Sequence, residues 1–324
     1  MAVEILDVDL LTFERGDPAA RAAVVDGVSR SLGTGFVYVG HDLPESLIDD
    51  AYGMLQTFFE LLPEEKLRHV APGSHGQTGY TGLLVETAAS AEVPDWKEMV
   101  NWGRTVPDGH PLRRRYPHRY MDQVLPESSV PGITDVLERF HDQLFGVQRR
   151  FLRIVATALG CHPDVFAAML HDGPSLSRAI HYPPMQSAPG NEHVWAGEHG
   201  DINLVTALPR ATARGLQVKT TDGWIDAVAP EGHAIINSGM MLERISNGRI
   251  PTGIHRVVAA ADQPGDRYSV VQFCHPTPWT ILSPFPSCCT PDTPQKWSAM
   301  EAGDALDLVL YEINLVEDAR RVAP

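Results

Sequence analysis

Little in this sequence invites a covalent crosslink. Its 324 residues include four cysteines, Cys161, Cys274, Cys288 and Cys289. None forms a C-x-x-C pair, and the adjacent Cys288 and Cys289 are badly spaced for an ordinary disulfide or a zinc clamp. That usage suits a reducing cytoplasm. Basic residues are outnumbered: 26 Lys and Arg against 41 Asp and Glu leave a net charge of −15. So acidic a chain repels phosphate backbones, which argues against a nucleic-acid partner. The densest basic run, Arg113–Arg115, reads as a solvated loop. Long apolar runs are also missing. None approaches the roughly 20 residues that a membrane helix needs, and the start, MAVEILDVDL, has no basic segment of the kind that opens a secretory signal. No internal repeat or low-complexity stretch interrupts the chain.

What is present is a globular composition, 43% hydrophobic and 21% charged. A chain of this length buries a large core without a stabilising metal, so any metal site is expected to serve chemistry rather than folding. The first third reads as mixed α/β. Residues 3–11 suggest a strand, and Asp17-Pro18 reads as a cap and first residue of a helix running through Arg30 to Gly33 or Gly35. Phe36–Val39 suggests a second strand. Pro44 opens a helix whose apolar face is Leu47, Ala51, Met54, Leu55, Phe58 and Leu62, and 71–95 reads as loop. After Pro131 a 3.6-residue stripe from Ile133 to Val155 predicts a long helix packed on a sheet. From 175 the texture becomes β: runs at 176–182, 202–207, 215–219, 224–228, 233–237, 254–260 and 268–274, with a hairpin signal at Thr221-Asp222-Gly223. A last helix is expected near Gly303–Val316. The expected organisation is a mainly β jelly roll with flanking helices. It divides into a mixed α/β region over 1–130, a long helix and β core over 131–290, and a C-terminal helix within 291–324 that could act as a lid.

Inside the β-rich half lies His199-Gly200-Asp201. Residues i and i+2 of an extended segment point to one side, so this pair can share an ion. His255 sits on a later run. Two imidazoles and one carboxylate on one face of a metal form the facial triad of non-haem Fe(II) oxygenases, which leaves positions for a bidentate 2-oxo acid and for O2. A second H-x-D, His162-Pro163-Asp164, follows Gly160 at a helix end, and its Asp164 reads as the cap of the next helix. Twelve residues beyond His255 comes Arg267-Tyr268-Ser269, again with i and i+2 on one face. A guanidinium and a hydroxyl there can grip the distal carboxylate of 2-oxoglutarate. Arg244-Ile245-Ser246 repeats the pattern, but in a short helix, and reads as surface.

Taken in order, these segments resemble the isopenicillin N synthase-like family of Fe(II)/2-oxoglutarate dioxygenases. The matching stretches are GTGFVYVGH at 33–41, TGYTGL at 78–83, DWKEMVNWG at 95–103, HYPPM at 181–185, HGDINLVTAL at 199–208, GLQV at 215–218, GWIDAVAPEGHAIINSG at 223–239, GIHRVV at 253–258 and RYSVVQF at 267–273. The resemblance implies a distorted double-stranded β-helix. It implies His199, Asp201 and His255 as iron ligands, and Arg267 and Ser269 on 2-oxoglutarate, with Tyr182 contacting the same co-substrate. Fe(II), 2-oxoglutarate and O2 would be required, with ascorbate as a reductant, and a small organic molecule of secondary metabolism would be oxidised. Met240 and Ile180 depart from residues common in the family. Arg178, Trp195, Tyr80 and Phe273 are candidates for substrate contact, with the loop 72–90 and the turn Asn191–Trp195. Two other readings are open: an iron oxidase on the same scaffold that needs no 2-oxoglutarate, and a β-barrel protein whose metal is structural or absent.

Overall fold

Two periodicities, 3.6 residues in the helices and 2 in the strands, order much of the apolar core among the described residues. A computed structural model describes residues 4–87, 93–190, 192–260 and 265–312. In chain order the elements are β1 (Asp7–Asp9), α1 (Leu10–Arg15), α2 (Pro18–Ser31), β2 (Phe36–Gly40), α3 (Glu45–Phe59), α4 (Pro63–Leu67), β3 (Gly79–Thr81), β4 (Glu98–Gly103), α5 (Pro111–Arg115), α6 (Ile133–Ala158) and α7 (Ala167–Leu170). There follow β5 (Leu176–Tyr182), β6 (Ala196–His199), β7 (Val205–Leu208), β8 (Leu216–Thr220), β9 (Gly223–Asp226), β10 (His233–Ser238), α8 (Met240–Ile245), β11 (His255–Val257), β12 (Arg267–Cys274), β13 (Ile281–Leu282), β14 (Met300–Glu301) and α9 (Ala302–Glu312).

The strands form a large sheet in the order β1-β2-β10-β7-β12-β5-β4-β3 and a smaller one in the order β6-β11-β8-β9. Side chains of both sheets meet in one apolar cluster that includes Phe36, Ile180, Tyr182, Leu208, Ile235, Leu216, Val218 and Val257. This is the interior of a jelly roll, two sheets wrapped face to face. The N-terminal region is built into it, because β1, β2, β3 and β4 occupy the two flanks of the large sheet. The outer face of that sheet packs on α6. The whole predicted stripe of α6, from Ile133 through Phe140, Leu144 and Phe151 to Val155, is buried there.

Alternation along β12 separates the two environments. Tyr268, Val270, Gln272 and Cys274 face the helices, whereas Arg267, Ser269, Val271 and Phe273 face inward. The same alternation in β5 turns Arg178, Ile180 and Tyr182 inward.

Several local expectations give way. The strand predicted over 3–11 ends at Asp9, whose carboxylate accepts from Thr12 N (2.5 Å) and so caps α1. Arg113–Arg115 is helical, with Pro111 at its first turn, and Arg113 pairs with Asp108 and Asp122. Asp164 is no helix cap: Phe166 precedes α7, and the Asp164 side chain pairs with Arg153 on the surface. In the 244–246 repeat, Ile245 and Ser246 are buried rather than superficial. Leu62 lies beyond α3 and is exposed. The loop over 71–95 contains the short β3, and its residues 88–92 lie outside the described set, as do Asn191 and the end of the last predicted helix. The described part of α9 contributes Leu306 and Leu310 to the helix-side core and carries Asp307, which pairs with Arg119. Among the described residues, no helix is long and apolar enough to cross a membrane.

Candidate active site

The small sheet brings two histidines together by register. His255 of β11 lies directly across from His199 of β6, and their ring centroids are 4.3 Å apart. Each ring is oriented by its own backbone. The Nδ1 of His199 lies 2.7 Å from the Gly197 carbonyl, and that of His255 lies 3.1 Å from the Gly253 carbonyl. A carbonyl only accepts, so both Nδ1 atoms carry the proton and both Nε2 lone pairs are left free. Burial first, and then the neighbouring His255, hold the His199 pKa down to about 4, so this ring is neutral and able to donate its lone pair.

Asp201 reaches the same point from the segment joining β6 to β7. Its Oδ2 accepts from Thr206 Oγ1 (2.5 Å) on β7 and Asn237 Nδ2 (2.7 Å) on β10. Among the described residues, Oδ1 accepts nothing. Burial alone would raise the Asp201 pKa, but His255, His199 and the two hydrogen bonds outweigh it and hold the carboxyl below the ordinary range. One donor atom from each of His199, Asp201 and His255 lies within 4.8 Å of the others. The residue between the first two has to be small: a Cβ on Gly200 would meet the Thr252 methyl at 2.6 Å and Ile254 Cδ1 at 3.0 Å. Two imidazole nitrogens and one carboxylate oxygen on one side of a point suit Fe(II) with open positions.

The triad opens on a cavity of about 70 Å³ between the sheets. Arg267 and Ser269 line it from β12, and Tyr182 from β5. Arg267 is 1% exposed. Its Nη1 donates to Ser269 Oγ (3.1 Å), its Nε to the Ala213 carbonyl (3.2 Å), and its guanidinium sits 4.9 Å from the centre of the Tyr182 ring. No carboxylate among the described residues neutralises it. A buried guanidinium without a counter-ion is costly, and a dicarboxylate ligand would supply one. Both partners of the cofactor pair therefore fit the residues present.

Of the four candidate substrate contacts, two reach this cavity. Arg178 and Phe273 line it, stacked with the guanidinium 5.3 Å from the ring centre. Trp195 does not. It is fully buried, donates Nε1–H to the Pro183 carbonyl (2.8 Å) and packs on Tyr182. Tyr80 is also elsewhere. Its hydroxyl donates to Glu98, which additionally binds Lys66 (2.8 Å) and His181 (2.7 Å) beneath the helices. Lys97, Thr206 and Asn237 line the cavity as well. No spacing rule singled them out, since each is an isolated polar residue placed by strand pairing.

Residues 174–276 match the 2OG-Fe(II) oxygenase superfamily, and residues 3–127 match the N-terminal region described as that of a non-haem dioxygenase in morphine synthesis. Homoarginine-6-hydroxylase of Arabidopsis thaliana is 30% identical over 256 residues, which are 76% of this chain and 68% of the relative. The chain belongs to the Fe(II)/2-oxoglutarate-dependent oxygenases. A 2OG-Fe(II) oxygenase family protein from Caulobacter crescentus superposes on this oxygenase with a TM-score of 0.83 at 30% identity, over 95% of this chain and 99% of the other. A full-length Neurospora crassa protein, solved with α-ketoglutarate and thymine, gives 0.82 at 25% identity over 96% and 97%. The activity is that of an Fe(II)- and 2-oxoglutarate-dependent dioxygenase.

Proposed function

We propose that His199, Asp201 and His255 hold the iron, and that Arg267 with Ser269 holds the distal carboxylate of 2-oxoglutarate beside Tyr182. The observation that carries this is the uncompensated Arg267 facing the cavity of the histidine–aspartate cluster. When bound, the iron and its co-substrate supply an oxidant from O2, with 2-oxoglutarate leaving as succinate and CO2 while a C–H bond of the substrate is oxidised. The protein's own residues supply position. The Gly197 and Gly253 carbonyls fix the two rings, and Thr206 with Asn237 occupies one oxygen of Asp201 and leaves the other for the metal. Apolar Ile180, Leu216, Val257 and Val271 around the cavity keep water from the reacting carbon. No acid–base pair is needed for the C–H step.

The substrate is read as a small organic molecule, in keeping with the cavity. A place in secondary metabolism follows the morphine-synthesis description of the matched N-terminal region. All four cysteines are free, the state a reducing cytoplasm maintains. The decisive experiment adds Fe(II) and 2-oxoglutarate to the protein without oxygen and follows the weak visible charge-transfer band of the chelate. The band should form in the wild type and be lost in His255→Ala. Arg267→Ala should weaken 2-oxoglutarate on the order of 100-fold, because a buried charge pair loses one partner. Iron binding without a band, and turnover without succinate, would replace this reading with a 2-oxoglutarate-independent oxidase.

A further inference from the structure

Two more cations, the buried Lys97 and the half-buried Arg178, face the same cavity, and the reading above uses neither. Arg178 projects from β5, and Lys97 comes one residue before β4, on the face that Met99 and Asn101 share. Asn101 and Arg178 are cross-strand partners, and Asn101 Oδ1 accepts from Arg178 Nε (2.7 Å). The neutralising acids stand behind them. Asp95 lies 2.8 Å from the Lys97 ammonium, while Glu86 lies 3.3 Å from Lys97 and 3.4 Å from Arg178. Lys97 and Arg178 line the cavity; Asp95 and Glu86 do not. Lys97 and Glu86 hold their charges. Burial works against the Lys97 charge, but Glu86 and Asp95 raise its pKa, and Arg178 with Lys97 holds Glu86 low against its own burial. Lys97 spends two of its three donors on the acids. Among the described residues, Arg178 Nη2 donates to nothing. The cavity is therefore offered positive charge and unspent donors.

We propose that Lys97 and Arg178 bind a carboxylate of the primary substrate, which makes that substrate an organic acid. The inference rests on the iron and 2-oxoglutarate reading above. An ammonium and a guanidinium side by side match the two oxygens of a carboxylate, and charged hydrogen bonds count for more in a buried site. A cationic substrate would meet two like charges with the acids out of reach. The hydrocarbon part then lies along the apolar wall, Ile180 and Val271 from the same sheet, with the anchored end deciding which carbon faces the triad.

The test titrates the anaerobic Fe(II)–2-oxoglutarate protein with phenylpropanoate, cinnamate and octanoate, each beside its methyl ester, and then measures succinate release in air. At least one acid should shift the chelate band without abolishing it, and should speed succinate release about tenfold or more over its ester. Arg178→Met should weaken that acid about tenfold or more, and Arg178→Lys should recover part of the loss. Lys97→Met strands the acids Asp95 and Glu86, so Lys97→Arg is made beside it and should keep the preference for acid over ester. Esters that act as well as the acids, or no acid that acts at all, overturn the proposal while the band still stands. An acid that abolishes the band competes at Arg267 and overturns it too. Failure of the band to form in the wild type removes the iron reading, and this inference with it.

Discussion

The two faces of the large sheet are made from the same strands and do opposite work. On the outer face, Val270 and Cys274 of β12 and Ala179 of β5 press on α6, and the polar groups there bond to one another: Gln272 donates to the His141 carbonyl (2.9 Å) and to Ser177 (3.0 Å), and Gln148 donates to the Gln272 carbonyl (2.7 Å). On the inner face, one residue along, Arg267, Ser269, Arg178 and Lys97 hold charge and donors that the protein leaves partly unmet. The first face spends its amide donors on the protein, although Gln148 Oε1 and Gln272 Oε1 accept from nothing among the described residues, and the second is the face proposed to hold ligands. A shift of one residue in strand register would exchange them.

This contrast can be broken from either side. The largest effect is expected from Asp201→Ala, which should remove iron binding and turnover while the far-ultraviolet circular dichroism stays native; wild-type succinate production would displace the site. Next comes Phe140→Ala on the outer side. It empties a fully buried position on α6 and should cost about 3–5 kcal/mol in denaturant unfolding, with iron and 2-oxoglutarate affinity of the folded protein unchanged. Loss of cofactor affinity there would mean that the faces are not independent. Asn237→Ala removes one of the two hydrogen bonds on Asp201 Oδ2, leaving that from Thr206, and should weaken iron by about 10–100-fold in a competition titration, with little change in thermal midpoint.

The smallest effect concerns pH. Burial of His141 behind Ser177 pushes its pKa down from 6.5 to about 4. The unfolded chain then takes up a proton that the folded one refuses, so this contribution is intact above pH 6.5 and is lost as the pH falls towards 4. Between pH 7 and 5.5 the loss should be about 1 kcal/mol, and His141→Gln should flatten that part of the stability curve. An unchanged slope would assign the acid limb to other groups.

How much of this could be read from the residues followed how local the determinant is. The α6 stripe, the Asp17-Pro18 start and the Thr221-Asp222-Gly223 hairpin are written in neighbours a few positions apart, and the structure has all three. The pairs His199/Asp201 and Arg267/Ser269 were legible because alternation places i and i+2 on one side. The rule holds only in extended backbone, however: His162 and Asp164 lie at a turn, whereas His199 ends β6 and pairs across to His255. β6 itself was missed, since Ala-Gly-Glu-His has no strand character of its own and is held in place by β11. Trp195 and Tyr80 were offered as substrate contacts because an aromatic ring in a loop-rich stretch suits core or rim equally. Their burial is settled by Pro183 and Glu98, far from any local signal. Lys97 and Asn237 become neighbours of the site only through the pairing of distant strands, and Glu86 through the loop between β3 and β4 that returns to Lys97.

The three donors are shared between the layers. His199 and His255 ride on the small sheet, while the Asp201 carboxylate is clasped by Thr206 and Asn237 of the large one. An ion held by all three would be a rivet through the sandwich, tying together the two sheets between which the cavity lies. Metal loss would then do more than silence the chemistry. It would slacken the jaws of the vise, so that chemical competence and mechanical closure fail together at one atom.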